Sequence, residues 1–513
     1  MYSDDEVFTS IRLLGSSEAE WVARSYDIVD AAGLRELLHP GPASPPSTVF
    51  DTVHGLVTED PQHSPLYYVA AHFWIRAFGD SIAATRSFSA VVGLLVLPAA
   101  YWLCIELFGS IIAARIAVAL YALSPVLVLY SQEAREYSLW AVAILAMSAA
   151  FLRAVRLGTV SAWAIYVAAF AFGLYVDPLS GLVALGQAVY IAALEWKRPR
   201  ALVRPFAALA IGFLCFTPWL SIMIARSDQI HRAWATVVDS RLSPAHVARF
   251  FFGNLRRDFI DFDGVKSARL NVLMSLPVIG LIAYSAYFLC RYAPSRVWGY
   301  VVAIAVCTAV PLVLQDMLFS GSRTQNVRYF FPFYLSIDLA ITYLIFSKIA
   351  APNAALRQAG VGQLLLIAIL AGRLASCVAS SGAETWWNKL EENDIALART
   401  INASDRPFVI SDNYISWAVS LGIYLDPKTR VELHPRCYLC SDARPGDMSL
   451  AAIAPSNNFA VFLLGPSAQL QERVQALLRG AGSKESYACI EIRRNCTSSL
   501  QMYPYTQAGS AHS

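Results

Sequence analysis

Charge is scarce in this chain: only 15% of its 513 residues are Asp, Glu, Lys or Arg, against about 25% in ordinary soluble domains. A free-standing soluble enzyme is excluded on that ground. The 40 Lys and Arg nearly cancel the 37 Asp and Glu, leaving a net charge of +3. No dense basic stripe of the kind nucleic-acid binders carry is present, so nucleic acid is not expected as a partner. Also lacking are a Walker loop, a G-x-G-x-x-G turn and an H-E-x-x-H helix, which removes the commonest nucleotide-binding and zinc-hydrolase readings.

What the chain has in abundance is apolar residues, 56% of the total, with a mean hydropathy of +0.47. They gather in runs near 87–108, 111–130, 137–156, 160–176, 179–194, 205–225, 270–290, 297–315, 329–347 and 361–379. Runs of this length are those of membrane-spanning helices. An all-α polytopic membrane protein of about ten helices over residues 87–380 is therefore expected, with membrane lipids as its surroundings. Arg153 and Arg156, then Lys197, Arg198, Arg200 and Arg204, then Arg291 and Arg296, then Lys348 and Arg357 fall on every second connection. Positive charge is retained on the cytoplasmic side during insertion, so the other connections, residues 1–86 and residues 381–513 are expected outside. An even number of helices with both ends outside predicts a further helix ahead of Met1.

Residues 1–86 form the expected first extracytoplasmic loop with interfacial helices. Ser17 and Glu20 have capping-box spacing, and Trp21, Val22, Ile28, Val29, Leu34, Leu37 and Leu38 recur at roughly helical period. A second amphipathic helix from Ser64 to Phe78 carries His72 and Arg76 on one face, where both read as interfacial anchors. Past residue 380, strand-like runs at Phe408–Ser411, Phe459–Leu464 and Tyr487–Ile492 alternate with helical patterns at 386–402, 414–425 and 467–479, predicting a small C-terminal α/β extracytoplasmic domain. Four of the nine cysteines, Cys437, Cys440, Cys489 and Cys496, sit there. In an oxidising compartment they are disulfide candidates; Cys437-x-x-Cys440 also has the spacing of a zinc knuckle or a redox pair.

Polar residues with chemical potential cluster on the expected outer side. Asp4, Asp5 and Glu6 are consecutive; Asp60 to Tyr68 opens the aromatic helix; Arg86 follows; and Ser131-Gln132-Glu133-Ala134-Arg135-Glu136-Tyr137 occupies the turn between two apolar helices. Ionisable groups at that depth cost about 2.5 to 3.5 kcal/mol each unless paired or facing a polar cavity. Arg86, Arg135 and Arg328 also suit a plain role anchoring helix ends in the headgroup layer, and Asp338 is either an interior hydrogen-bonding residue or part of the site. In the loop 226–268, His231, Trp234, Arg256, Arg257, Asp258, Asp261 and Asp263 suit either glycan contact or a solvated loop.

Asp5-Glu6, His63-x-Pro65-Leu66-Tyr67-Tyr68, Arg86, Ser131-Gln132-Glu133-Ala134-Arg135-x-Tyr137 and Arg328-Tyr329 with Pro332 together resemble the GT-C integral-membrane glycosyltransferases. The likeness is to the protein mannosyltransferase and aminoarabinose transferase branch, glycosyltransferase families 39 and 83 and their bacterial relatives. It implies a GT-C helical bundle in the bacterial inner membrane that moves a sugar from a polyprenyl-phosphate carrier to an acceptor outside, with inversion. Carried over, Asp5 is the base, Glu6 orients the acceptor or holds a cation, and Glu133 is the second acid. Arg135 and Arg328, with Arg86, His63, Tyr137 and Tyr329, are the lipid-phosphate site, because guanidinium groups pair with phosphate oxygens and keep their charge. Asp4, Glu6 and Glu133 are candidate ligands for Mg²⁺ or Mn²⁺, as hard oxygen donors. Asp4 makes a triple acid where the pattern has a pair, and Asp177-Pro178 stands where relatives often have a His-containing segment. Neither sugar nor acceptor is legible. A lipid-linked sugar flippase or transporter and a catalytically silent scaffold of the same fold are the rival functions; the internal repeats of many transporters are not seen.

Overall fold

The computed structural model describes residues 1–39, 47–231, 243–262, 268–319, 321–350, 356–388, 394–436, 460–480 and 488–490. Its contacts gather into two units: residues 1–59, 80–82 and 384 onward, and residues 60–79 with 83–383. The division expected at residues 86 and 380 thus differs at the front. Residues 1–59 do not stand as a separate loop region but share a unit, and a core, with the C-terminal layer.

The second unit is the helical bundle. Among the described residues, seven helices are long and apolar enough to cross a membrane, the bent pair Ile111–Ala122 and Pro125–Ser131 makes an eighth, and Val160–Val176 and Ser180–Glu195 are shorter apolar helices. A multi-pass membrane protein is the result, as the apolar runs predict. The Tyr137–Leu157 and Phe331–Ile349 helices bury most of their residues. Outer helices instead turn large apolar side chains outward: Leu214 is 66% exposed, Ile224 65% and Leu364 68%. Acyl chains solvate such faces, whereas water does not.

Local chemistry keeps backbone groups satisfied where the sequence interrupts a helix. Pro218 lies inside Pro199–Ala225, and its missing N–H leaves the carbonyl of Leu214 without its intrahelical donor. The Thr217 hydroxyl donates to that carbonyl at 2.7 Å. Deeper in the bundle, Arg373 is fully buried and donates to Asp338 Oδ1 and to Asp258 Oδ2, both at 2.6 Å, and to the Leu120 carbonyl, also at 2.6 Å. Ser124 donates to the same Asp258. Asp258 is therefore a buried tie between helices; of its two readings, neither glycan contact nor a solvated loop describes it. Asp338 makes the interior hydrogen bonds of the first of its two readings.

The first unit is a parallel α/β layer with helices from both ends of the chain. β1 (Pro407–Ser411), β2 (Arg430–Leu433), β3 (Ala460–Leu464) and β4 (Ala488–Ile490) pair in the order β2-β1-β3-β4, all parallel. Strands β1, β3 and β4 fall on the three expected runs; β2, only four residues long, was not expected. Asp4–Leu13, Glu18–Ser25 and Ala31–Leu38 supply Val7, Ile11, Trp21, Val22, Leu34, Leu37 and Leu38 to one core with Val409, Val419, Leu421 and Phe462. The amphipathic period read as interfacial thus serves a protein core. Periodicity reports that a face is covered, not by what. Backbone bonds tie the two chain segments: Ala31 N–H donates to Thr429 O at 2.9 Å and Val431 N–H to Val29 O at 3.0 Å.

Candidate functional site

The bundle builds a buried polar cluster around one turn. Ser124 caps the short Pro125–Ser131 helix, with Pro125 at its first turn, where the missing N–H costs nothing. The chain then turns through Gln132 to Glu136, with Arg135 N–H donating to Glu133 O at 2.8 Å, and resumes as Tyr137–Leu157. Glu133, Arg135 and Glu136 are 2%, 4% and 3% exposed. Burying three ionisable groups within four turn positions demands partners.

Arg135 and Glu136 find theirs on the segment that leads into the Leu66–Phe78 helix. His63 Nδ1 lies 3.1 Å from Glu136 Oε1. Arg135 Nη2 donates to the same oxygen at 3.4 Å and lies 3.4 Å from His63 Nε2. Arg135 Nη1 donates to the Tyr68 hydroxyl at 3.3 Å. Behind them, Tyr67 meets the Ser89 hydroxyl at 2.8 Å, and Ser89 donates to the Arg135 carbonyl at 3.3 Å. Burial works against the Glu136 charge, but Arg135 and His63 outweigh it and lower its pKa to about 2. Asp177 goes the other way: burial and then the Glu136 charge push it up to about 7.

A second guanidinium arrives from far along the chain. Arg328, on the short Val327–Phe330 turn, lies 5.4 Å from the Tyr137 ring centroid, and Arg135 lies 5.9 Å from the same ring. Arg328 is also 5.4 Å from the Tyr329 ring. Tyr137 is packed edge-on against Tyr130 and Phe331, so the ring that both cations approach is itself held. The bundle thus brings together His63, Tyr68, Arg135, Glu136, Tyr137, Arg328 and Tyr329. Arg86 is half-buried on the Ile82–Gly93 helix, and Glu133 is buried in the turn. Of the two expected interfacial anchors on the aromatic helix, His72 is buried and Arg76 exposed.

Asp4, Asp5 and Glu6 form the first turn of a helix in the other unit. Glu6 is fully buried, and its Oε2 accepts from Ser3 N–H at 3.0 Å and from the Ser3 hydroxyl at 3.2 Å, which is helix capping. Asp5 is the least buried of the three. The expected meeting of Asp5 with Glu133 spans the two units.

The expected metal set meets a difficulty of direction. Asp4 and Glu6 are two residues apart on one helix, a spacing that does not put side chains on one face, and Glu6 is engaged in capping. Among the described residues, no three His, Cys, Asp or Glu side chains gather as a metal site. The metal reading also needs Glu133, which lies in the other unit. Cys437, Cys440 and Cys496 lie outside the described residues, as does the side chain of Cys489.

Sequence reasoning assigned no role to Glu136 or Asp177, though both were noted, and did not single out Arg373. Glu136 stood in the quoted motif only as its variable position. A signal was available: three ionisable residues in four positions between apolar runs must all be paired.

Residues 62–222 match the family model described as dolichyl-phosphate-mannose-protein mannosyltransferase. The match bears out the resemblance to GT-C membrane glycosyltransferases, and it supports a glycosyltransferase. It covers His63, Tyr67, Tyr68, Arg86, Glu133, Arg135 and Tyr137 but neither the Asp5-Glu6 pair nor Arg328. Among solved structures, the chain is similar to ArnT from Cupriavidus metallidurans in the apo state, with a TM-score of 0.47, 13% identity, and coverage of 79% of this chain and 82% of that one. The same protein bound to undecaprenyl phosphate gives a TM-score of 0.46, 14% identity, and coverage of 78% and 82%. Comparison with curated proteins gives no match.

Proposed function

We propose that the protein is a polyprenyl-phosphate-sugar-dependent glycosyltransferase, acting on the extracytoplasmic side of the bacterial inner membrane. The observation that carries this reading is the approach of Arg135 and Arg328 to one ring, Tyr137, at 5.9 and 5.4 Å. Two fixed cations beside an aromatic face suit a lipid-borne phosphate: they bind its oxygens and take up the charge that grows as it departs. The family model adds support, since its description names a prenol-phosphate sugar as donor and covers Arg135 and Tyr137. Sidedness rests on the alternation of Arg and Lys clusters, and the C-terminal layer goes outside with the turn at Glu133.

In the reaction, Asp5 takes the proton of an acceptor hydroxyl, and that oxygen attacks the anomeric carbon on the face opposite the phosphate. The carbon–oxygen bond to phosphate breaks, and its electron pair leaves on the polyprenyl phosphate held by Arg135 and Arg328, with Arg86, Tyr137 and Tyr329 lining the approach. Asp5 is the better base of the acidic trio because Glu6 is engaged in capping. Glu133 is assigned as the second acid, beside the phosphate site. The rival flippase reading differs in outcome, since a flippase moves the intact donor across the bilayer and leaves the sugar on its carrier. Proteoliposomes supplied with a radiolabelled polyprenyl-phosphate sugar and membrane-extract acceptors separate the two. Label on an acceptor supports the transferase; label recovered only on lipid, translocated at wild-type but not D5N or R135A rates, overturns it.

A further inference from the structure

Within this reading, one residue that the motif leaves variable holds the site together. Glu136 Oε1 is the common point of three groups: His63 Nδ1 stands 3.1 Å away and Arg135 Nη2 3.4 Å away, while His63 Nε2 and Arg135 Nη2 are 3.4 Å apart. A guanidinium nitrogen only donates. The ring nitrogen beside it therefore avoids carrying hydrogen, and the ring nitrogen beside a carboxylate oxygen favours carrying one. Both constraints select the same arrangement, hydrogen on Nδ1 and a lone pair on Nε2. The Glu136 side chain is 5% exposed and that of His63 27%, so the carboxylate is the fixed partner and the imidazole the one that reaches outward. Tyr68 also faces the ring, with centroids 6.2 Å apart; the backbone N–H of His63 donates separately to the Asp60 carbonyl at 3.0 Å; and the titration of Asp177 feels both His63 and Glu136.

We infer that Glu136 is a positioning residue: with one buried oxygen it fixes the His63 ring as its Nδ1–H tautomer and tethers the guanidinium of Arg135 at the donor phosphate. His63 then acts through Arg135 and does not itself hold the phosphate. Removing Glu136 loosens both groups at once, which a residue serving only to fill space does not do.

The inference rests on the transferase reading for its kinetic arm but not for its spectroscopic one. In full-length protein labelled with ¹⁵N-histidine in nanodiscs, with the His63 signals assigned by their loss in H63Q, the ring is expected as Nδ1–H. E136A is expected to convert it to the mixture seen for unrestrained histidine, while E136Q, whose amide oxygen still accepts, keeps Nδ1–H. An Nε2–H ring in the wild type, or an unchanged signal in E136A, overturns the proposal whether or not sugar transfer is ever observed. In the kinetic arm, E136Q is expected to lower kcat about tenfold or more, the scale of losing a charge-assisted hydrogen bond, with the donor KM shifted about twofold or less. E136D, which restores the charge, is expected to recover part of kcat. H63K separates the roles: it is expected to lose turnover as E136Q does, whereas donor binding and turnover near wild type would make residue 63 a direct phosphate ligand and sink the inference. If the wild type transfers no sugar from any polyprenyl-phosphate donor, the transferase reading fails and the tautomer result alone decides the role of Glu136.

Discussion

Arg328 and Tyr137, 191 positions apart in the sequence, meet at 5.4 Å between guanidinium carbon and ring centroid. The ring already faces Arg135 at 5.9 Å. The pair sets a direct expectation for the donor. R135A and R328A should each lower kcat/KM for the polyprenyl-phosphate sugar by at least about tenfold, and R328K should not fully rescue, because an ammonium lacks the planar pair of donors. In the proposed function both cations act on one phosphate, so the double variant should fall short of the product of the single effects. Steady-state kinetics in proteoliposomes over a range of donor concentrations check this; strictly multiplicative effects would place the two arginines in separate roles.

The proposed function gives the acids at the start of the chain different roles. D5N should reduce transfer by about 10² to 10⁴-fold, the usual scale for loss of a general base, without lowering thermal stability. E6A should do the reverse in character, costing about 1 kcal/mol through the lost capping interaction with Ser3. Activity and thermal unfolding of the same detergent-purified samples distinguish the two, and a stable, inactive E6A would exchange the assignments.

Arg373 joins Asp258, Asp338 and the Leu120 carbonyl inside the bundle. R373M strands two buried carboxylates and should destabilise the protein by about 3 to 5 kcal/mol, the scale for removing one partner of a buried ion cluster. Replacing all three as R373M/D258N/D338N should recover much of that loss. Scanning fluorimetry in detergent reads both effects; a fully stable R373M would mean that the carboxylates are not held as charges.

The α/β layer has its own pH dependence. Asp394 is buried and accepts from the Trp417 indole at 2.7 Å. Burial raises its pKa to about 7, with Asp4 adding to the rise. A carboxyl raised on folding binds more protons in the folded than in the unfolded state between its ordinary value of 3.8 and about 7, so stability should fall as pH climbs through that window and level off above it. D394N should flatten this slope. Denaturation followed by tryptophan fluorescence from pH 5 to pH 8 tests the sign; stability that rises across the window because of Asp394 would contradict it.

The bundle was legible because lipid imposes a simple rule: long apolar runs with positive clusters on alternate connections. The Gln132 to Tyr137 turn was legible for the same reason, since buried charge among apolar helices stands out. What escaped was whatever depends on contacts distant in sequence. The period of Trp21, Leu34 and Leu38 is the same whether the helix lies on a membrane or packs against Val409 and Phe462. Strand β2, with only Val431 and Leu433 buried of its four residues, is too short to alternate visibly. Glu136 was hidden by the motif itself, which treats its position as free, while its partner His63 lies 73 residues upstream. Arg373 sits within an apolar helix, and only the three-dimensional meeting with Asp258 and Asp338 explains why it is there.

The most direct test is sugar transfer by purified wild-type protein in proteoliposomes holding a radiolabelled polyprenyl-phosphate sugar, run beside R135A and R328A. Label should pass from lipid to acceptor in step with release of free polyprenyl phosphate, and both variants should lose that transfer while remaining folded. Label that stays on the lipid in the wild type, or moves to acceptor at equal rates in all three proteins, would contradict a transferase whose two arginines hold the departing phosphate.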